Sequence, residues 1–440
     1  MKIAVIGGGV AGLTAAYRLA QKDHEVDVFE ASDHVGGLAS GFPVAGTSLE
    51  KYYHHLFTSD HSIRGLVHEL GITQKLQWFT SQMGFYNAGK IYPFGTPQQL
   101  LTFKPLPLWE RIWFGVVSLY LGKKNNWKEF EEVTAAEWVK KHFGPQTWNV
   151  IWQPLLKGKF GRYYDQVAMA WFWARIHTRF SSRKGSEEKL GYFEGGFAVF
   201  HQELAKAVET KGATIHLKTP VEKILVNNQK LVGLMINGVE KKYDRLVFSA
   251  ATPIFLKCCA ELREDYVKRL THLEYLGAQC LILVMKRKFS DIYWMNIGES
   301  SIPILALIEH TNFAPQSWYQ GKHLMYIANY LPRDHQYFQM TKEQLFNEHL
   351  PHLKKINPDF EPSWVEESFV FQDFYAQPVV PLHYSQVKPT YETPIENLFL
   401  ANMALVYPED RGTNFAVQVG DKVSQLIDPS ILIPTFKEPS

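Results

Sequence analysis

The sequence predicts an α/β fold in which a parallel-sheet domain is assembled from separated stretches of chain and an α+β domain fills the gaps between them. Three observations carry this. The first thirty residues switch from strand period to helix period and back. Short strand-like runs return in the middle of the chain and near its end. Between them lie a Trp- and Phe-rich helical stretch and a second series of strand runs, a pattern of two packed layers rather than one.

Residues 2–6 form a short apolar strand, and Gly7-Gly8-Gly9-Val10-Ala11-Gly12 follows it. A helical pattern continues through Leu13, Ala16, Tyr17 and Ala20. Residues 25–30 form a second strand ending on the carboxylate of Glu30. Gly7-x-Gly9-x-x-Gly12 between a strand and a helix is what a Rossmann-type dinucleotide site requires. Gly7 permits the tight turn, Gly9 lets the backbone approach a pyrophosphate, and Gly12 lets helix and strand pack closely. Val10 and Ala11 open the helix, where free N–H groups and the positive dipole end face the phosphates. Glu30, with Ala31 beside it, stands where a carboxylate accepts hydrogen bonds from ribose hydroxyls.

At 440 residues the chain is long enough for two domains with cores of their own. Formal net charge is +2, from 46 basic and 44 acidic residues, without the basic excess of a nucleic-acid-binding protein. Cys258, Cys259 and Cys280 make no metal-ligand pattern, so no metal site is expected. Their odd number argues against a disulfide framework, which points to a reducing, cytoplasmic setting. The N-terminal apolar run breaks at three glycines, unlike a signal peptide, and no segment reads as a membrane span. Aromatic residues make up 14 % of the chain, which suits a large apolar cavity, a membrane-facing surface or an aromatic-rich core.

Further along, a helix is expected over 60–72 and mainly helical structure over 97–180. Strands are expected at 214–217, 221–226, 231–236 and 246–248, with a hairpin turn at Asn237-Gly238. Strand runs at 280–285, 304–308, 324–330 and 398–400 precede a final helix over 415–427. The expected division places 1–85, 190–260 and 390–440 in the dinucleotide-binding domain, and 86–189 and 261–389 in the substrate domain.

Val35-Gly36-Gly37-Leu38-Ala39-Ser40 follows Glu30 by a few positions, and Gly36-Gly37 would let a second loop close over the same pyrophosphate. This run resembles the extended glycine signature of the FAD-binding amine-oxidase and protoporphyrinogen-oxidase-like superfamily. Three further stretches resemble it too: 191–196, 219–224 with 244–251, and 397–420. The resemblance implies FAD, with Val221 at the adenine, Ala250 in the turn after the middle strand, and Thr413, Asn414 and Phe415 opening the last helix onto the flavin. Asn402 takes the place where the superfamily often has an acidic residue. Whether it or Glu409, Asp410 or Arg411 meets the ribityl chain stays open, Arg411 being the candidate retained beside it. Tyr53-His54-His55-Leu56-Phe57-Thr58 and the stretch 89–94 are locally similar to UDP-galactopyranose mutase, which carries a His-containing loop against its flavin.

His54 and His55 are the acid/base candidates. Neighbours in extended chain point to opposite sides, so one of them faces the flavin; otherwise both are structural. Residues 104–121 set Trp109, Trp113, Phe114, Val116, Val117, Leu119 and Tyr120 among Lys and Arg, as a helix lying in a membrane interface does. A helix packed on the substrate domain reads the same way. The expected activity is FAD-dependent oxidation of an apolar or lipid-linked small molecule, in the cytoplasm or peripherally on a membrane. Redox-neutral sugar-nucleotide isomerisation and a non-catalytic flavoprotein are the alternatives.

Overall fold

The Lys2–Ile6 strand lies at the centre of a five-stranded parallel sheet. The order is Thr214–His216, Glu25–Phe29, Lys2–Ile6, Arg245–Phe248 and Leu398–Leu400. The structure, a computed structural model, describes residues 1–182 and 188–436. Ile3, Ala4 and Val5 have no exposed surface, as a parallel strand covered on both faces requires. The helices Val10–Ala20 and Thr413–Ile427 pack against each other so closely that a Cβ on Gly420 would sit 2.6 Å from the Ala11 carbonyl oxygen. Arg18 ties this pair to the His61–Glu69 helix. Its Nε donates to Asp421 at 2.8 Å and its Nη2 to Glu69 at 2.9 Å.

The four strands expected between 214 and 248 form within a residue or two of their expected bounds, and Val239–Lys242 adds one that was not expected. Lys223–Asn227, Lys230–Ile236 and Val239–Lys242 make an antiparallel meander. Asn237 (φ 51°) and Gly238 (φ 70°) are both left-handed, as a type I′ hairpin turn demands. The last helix begins at Thr413, two residues earlier than expected, and the helix expected over 60–72 spans His61–Glu69.

The second sheet has seven strands in the order Val365–Pro378, Tyr275–Met285, His323–Pro332, Ala306–Glu309, Trp294–Ile297, Met83–Asn87 and Lys90–Pro93. Tyr275–Met285 is buried along its whole length. Four of these strands were not expected. Val365–Pro378 lies at the sheet edge and carries Glu366, Glu367 and Asp373, so it shows no apolar run. Trp294–Ile297 pairs with Met83–Asn87 in parallel, a contact across more than 200 residues that no local pattern announces. Residue 85, the expected limit of the first segment, falls inside that strand.

The stretch from 108 to 182 forms the helices Leu108–Lys123, Ala135–His142, Gln153–Phe160 and Met169–Ser182. Their shared core is aromatic: Phe114 stacks on Trp152 at 5.5 Å, and Trp152 meets Phe172 edge-on at 4.8 Å. Leu108–Lys123 buries Phe114, Val117 and Leu121 and turns the opposite face outward. Leu108, Trp109, Ile112, Trp113, Val116, Leu119 and Tyr120 are each 45–60 % exposed. No described helix is long and apolar enough to cross a membrane.

Candidate functional site

The glycine loop has the shape of a phosphate cradle. Gly7 has φ +105°, closed to most side chains, and its amide donates to the Phe29 carbonyl at 2.8 Å. A Cβ on Gly12 would stand 2.1 Å from the Gly7 carbonyl oxygen, so helix and loop touch there and only hydrogen fits. At Gly9 a Cβ would meet nothing nearer than the Gly37 Cα at 3.8 Å, which leaves the loop open toward that side. The helix that follows has no side-chain cap and no acidic residue in its first turn, so its leading N–H groups remain available to an anion.

The second glycine loop meets the first. Gly36 N donates to Gly8 O at 2.9 Å, and Gly9 and Gly36 form a parallel bridge. Gly36 (φ +113°) and Gly37 (φ +57°) both need the left-handed region. Beneath Gly36 lies His201, buried, with neither ring nitrogen hydrogen-bonded among the described residues. Burial pushes its pKa down to about 3, so the ring is neutral. Glu30 accepts from Gly8 N at 2.7 Å on one oxygen and from Ser32 N and Oγ, each at 2.8 Å, on the other. These bonds hold the carboxylate at the loop while leaving it further acceptor capacity. Thr219 N donates to Glu30 O, which brings the Val221 segment alongside; Ala31 is exposed next to it. An open loop, an uncapped helix and an orphaned buried histidine fit a dinucleotide pyrophosphate and the group attached to it.

The other candidates divide. Asn402 is buried and saturated. It donates to Ala250 O and Thr252 Oγ1 and accepts from Ala404 N, so it braces the turn that holds Ala250. Asn414 accepts from Ser62 N at 3.0 Å and Ile63 N at 3.2 Å, pinning the start of the last helix to its neighbour. Thr413 is buried and Phe415 half-buried in the first turn of that helix, which has no side-chain cap.

A cavity opens between Leu38 of the second glycine loop and the seven-stranded sheet. Tyr52, Tyr53, His54, Cys280, Tyr330 and Arg411 line it with smaller residues. His54 is a lining residue; His55 is not, and its Nδ1 meets Tyr293 OH at 3.1 Å on the other side. His54 Nδ1 lies 2.6 Å from the Tyr52 carbonyl oxygen, which only accepts, so Nδ1 carries the proton and Nε2 the lone pair. Burial lowers His54 to about 4 and His55 to about 3, so both are neutral at physiological pH. Among the described residues no cluster of three or more His, Cys, Asp and Glu is placed to hold a metal ion.

Arg411 extends from the loop before the last helix into this wall. Nη2 donates to the Tyr330 hydroxyl and Nε to Gln377 Oε1 at 3.2 Å. Its neighbour Asp410 accepts from Lys159 Nζ at 2.9 Å and from Arg175. Against the opposing effect of burial, the charges of Lys159, Arg175 and Arg411 hold Asp410 far below the usual carboxylate range. Burial brings Lys159 down to about 7 despite Asp410. The Glu409-Asp410-Arg411 triplet was visible in the sequence. Lys159, Arg175 and Tyr330 come from distant helices and a distant strand and carried no local signal.

The sequence profile of the flavin containing amine oxidoreductases matches residues 10–421. The chain therefore belongs to this family. Coproporphyrinogen III oxidase of Staphylococcus aureus (strain NCTC 8325 / PS 47) is 22 % identical over 292 residues, 58 % of this chain and 61 % of that one. The 15-cis-phytoene desaturase of Glycine max is 22 % identical over 386 residues, 82 % of this chain and 66 % of that one. The chain thus aligns with somewhat less than two thirds of the length of these relatives. Reduced UDP-galactopyranose mutase shares the fold, with a TM-score of 0.76 at 13 % identity, covering 99 % of this chain and 97 % of that one.

Proposed function

We propose that this chain binds FAD across its two glycine loops and oxidises an apolar or lipid-linked organic molecule in the cavity beside Leu38. The observation that carries this reading is the meeting of the two glycine loops, Gly36 N on Gly8 O at 2.9 Å, with a small cavity walled by Tyr52, Tyr53, His54 and Cys280 beside them. Gly7, Gly9, Gly12, Gly36, Gly37 and the helix opening at Val10 would hold the pyrophosphate, and Glu30 the ribose. The start of the Thr413–Ile427 helix would face the flavin. Bound there, the flavin supplies the acceptor for an electron pair. The protein's part is to orient the substrate, exclude water and, through the unprotonated Nε2 of His54, accept a proton. His54 is the catalytic candidate of the pair; His55 packs behind it. Residues 190–260 and 390–436 and the N-terminal segment up to the Met83–Asn87 strand form the cofactor half in this reading.

The exposed apolar face of Leu108–Lys123 fits a lipid surface as its partner. It carries two Trp and a Tyr, and Lys104, Lys123 and Lys128 near its ends would meet anionic headgroups. A lipid-borne substrate would then be delivered at the membrane. Sedimentation with phosphatidylserine-containing vesicles tests this. Binding that weakens on Trp109→Asp with Trp113→Asp supports it, and equal binding of both proteins refutes it.

The decisive experiment is anaerobic. NADH, then NADPH, is added to the purified flavoprotein and the oxidised flavin absorbance is followed. No bleaching by either, with bleaching by an apolar reduced substrate, is the expected result. Rapid bleaching by a nicotinamide would overturn the oxidase reading. It would favour redox-neutral isomerisation of a sugar nucleotide on reduced flavin, a reading also served by the Arg411–Tyr330 pair in the wall.

A further inference from the structure

Arg411 reaches the cavity wall from a cluster of basic side chains that lies behind it. Lys159, Arg175 and Arg411 gather around Asp410, which accepts from Lys159 at 2.9 Å and from Arg175, and also from Gln377 Nε2 at 3.4 Å. The other carboxylate facing Arg411, that of Asp373, already accepts the Tyr375 amide at 2.7 Å. Two guanidiniums and a Lys159 that burial leaves only partly protonated near neutral pH thus face the carboxylates of Asp410 and Asp373 among the described residues. Aromatic faces surround them: Lys159 Nζ lies 5.1 Å from the Tyr330 ring centre and 5.2 Å from that of Trp171, and Arg411 stands 5.3 Å from the Tyr330 ring. Only Arg411 and Tyr330 of this group reach the cavity. Arg411 uses two of its five N–H donors on Tyr330 and Gln377. A buried guanidinium that lines a cavity with donors to spare is a poor arrangement for stability alone. It is a suitable one for a ligand that supplies an anion.

We infer that Arg411, with the Tyr330 hydroxyl beside it, is an anion subsite for an oxyanion group of the substrate, a carboxylate or a phosphate. Lys159 and Arg175 act as positioning residues. They fix Asp410, hence the backbone that carries Arg411. The substrate is then amphipathic: an apolar body lies along the tyrosines and its charged end is held by a planar donor pair. This inference rests on the cavity being the substrate site. The test reads no electron transfer, so its failure is distinct from failure of the oxidase reading.

The holoenzyme is titrated with inorganic phosphate, pyrophosphate, acetate and succinate at constant ionic strength in chloride. Flavin absorbance difference and fluorescence are recorded. A saturable change with phosphates alone assigns a phosphate, and one with carboxylates alone assigns a carboxylate; either supports the subsite. Arg411→Met is expected to weaken the midpoint by about tenfold or more, the loss of one charge-assisted hydrogen-bond pair. Arg411→Lys is expected to fall between the two. No saturable response to any of the four anions, or an unchanged midpoint in Arg411→Met, overturns the inference. Should Arg411→Met not retain flavin, Arg411→Lys and Lys159→Gln decide it, and unchanged midpoints in both overturn it.

Discussion

Three single residues concentrate much of the site's physics. Gly12 is one: with the Gly7 carbonyl oxygen 2.1 Å from where a Cβ would be, an alanine forces the loop off the helix. Gly12→Ala is expected to cost at least about 1–3 kcal/mol and to reduce flavin retention, checked by denaturant unfolding and by the flavin-to-protein absorbance ratio. Glu50 is another. It is fully buried, accepts from the Tyr192 hydroxyl at 2.7 Å and from the Phe197 amide, and burial raises its carboxyl to about 7. The folded state therefore holds a proton that the unfolded state releases near 4.5. Glu50's contribution is full below 4.5 and is lost as pH rises to about 7, a change on the order of 3 kcal/mol. Asp60 and Glu309, also raised to about 7 by burial, tilt the curve the same way. Glu50→Gln should flatten part of that slope in urea unfolding measured from pH 4.5 to 8; an unchanged slope would reject the assignment. His54 is the third. Its extended neighbour His55 was expected on the opposite side, and the structure puts it there. What the sequence could not show is which ring meets the cavity, because that depends on the Tyr52 carbonyl and on strands hundreds of residues away.

At the scale of elements, the helix pair Val10–Ala20 and Thr413–Ile427 sets how the two helix N-termini converge. Gly420 allows their contact, and Arg18 ties both to the His61–Glu69 helix. Gly420→Ala should lower stability by about 1–3 kcal/mol and loosen flavin binding although it lies outside the glycine loops. Thermal melts with and without added FAD would separate the two effects. Elements whose apolar runs are continuous, such as residues 280–285 of Tyr275–Met285 and Lys2–Ile6, were legible because burial on both faces leaves a plain pattern, while the start of the longer strand, with Gly277 and Gln279, was not. Val365–Pro378 was not, since an edge strand half in water mixes Glu, Gln and Phe without a period. The Leu108–Lys123 helix was legible as a helix, and its Trp and Lys content as a membrane-type pattern. Its inner seam, Phe114, Val117 and Leu121, shows why a packed helix and an interfacial one read alike: this helix has both faces. The buried Glu110 clamps it by accepting from Thr147 N at 2.6 Å and from Gln146 N at 3.1 Å. Glu110→Ala should cost about 1–3 kcal/mol by leaving those donors unpaired, with Glu110→Gln losing less in the same unfolding assay.

Over the whole molecule, the parallel sheet draws strands from residues 2–29, 214–248 and 398–400. In the proposed reading the cofactor site would be completed by the last of them and by the helix that follows. Truncation after residue 390 should therefore abolish flavin binding even though both glycine loops remain, which absorbance of the purified truncated protein would register. The cofactor motifs were readable because each is local and repeats a turn chemistry that few residues satisfy. The cation cluster was not, because Lys159, Arg175, Tyr330 and Arg411 meet only once the two sheets are assembled.

That interleaving also bears on how such an enzyme can be remade by recombination. The seven-stranded sheet takes Met83–Asn87 and Lys90–Pro93, breaks off for the helical stretch, the meander and two strands of the parallel sheet, and resumes at Tyr275–Met285. A new substrate half cannot be exchanged as one cassette in a gene: two inserts must be swapped together, or each will arrive without the strands it pairs with. Lineages of this architecture should therefore diverge in substrate by accumulated point changes along both inserts, with chimeras made at a single crossover folding rarely.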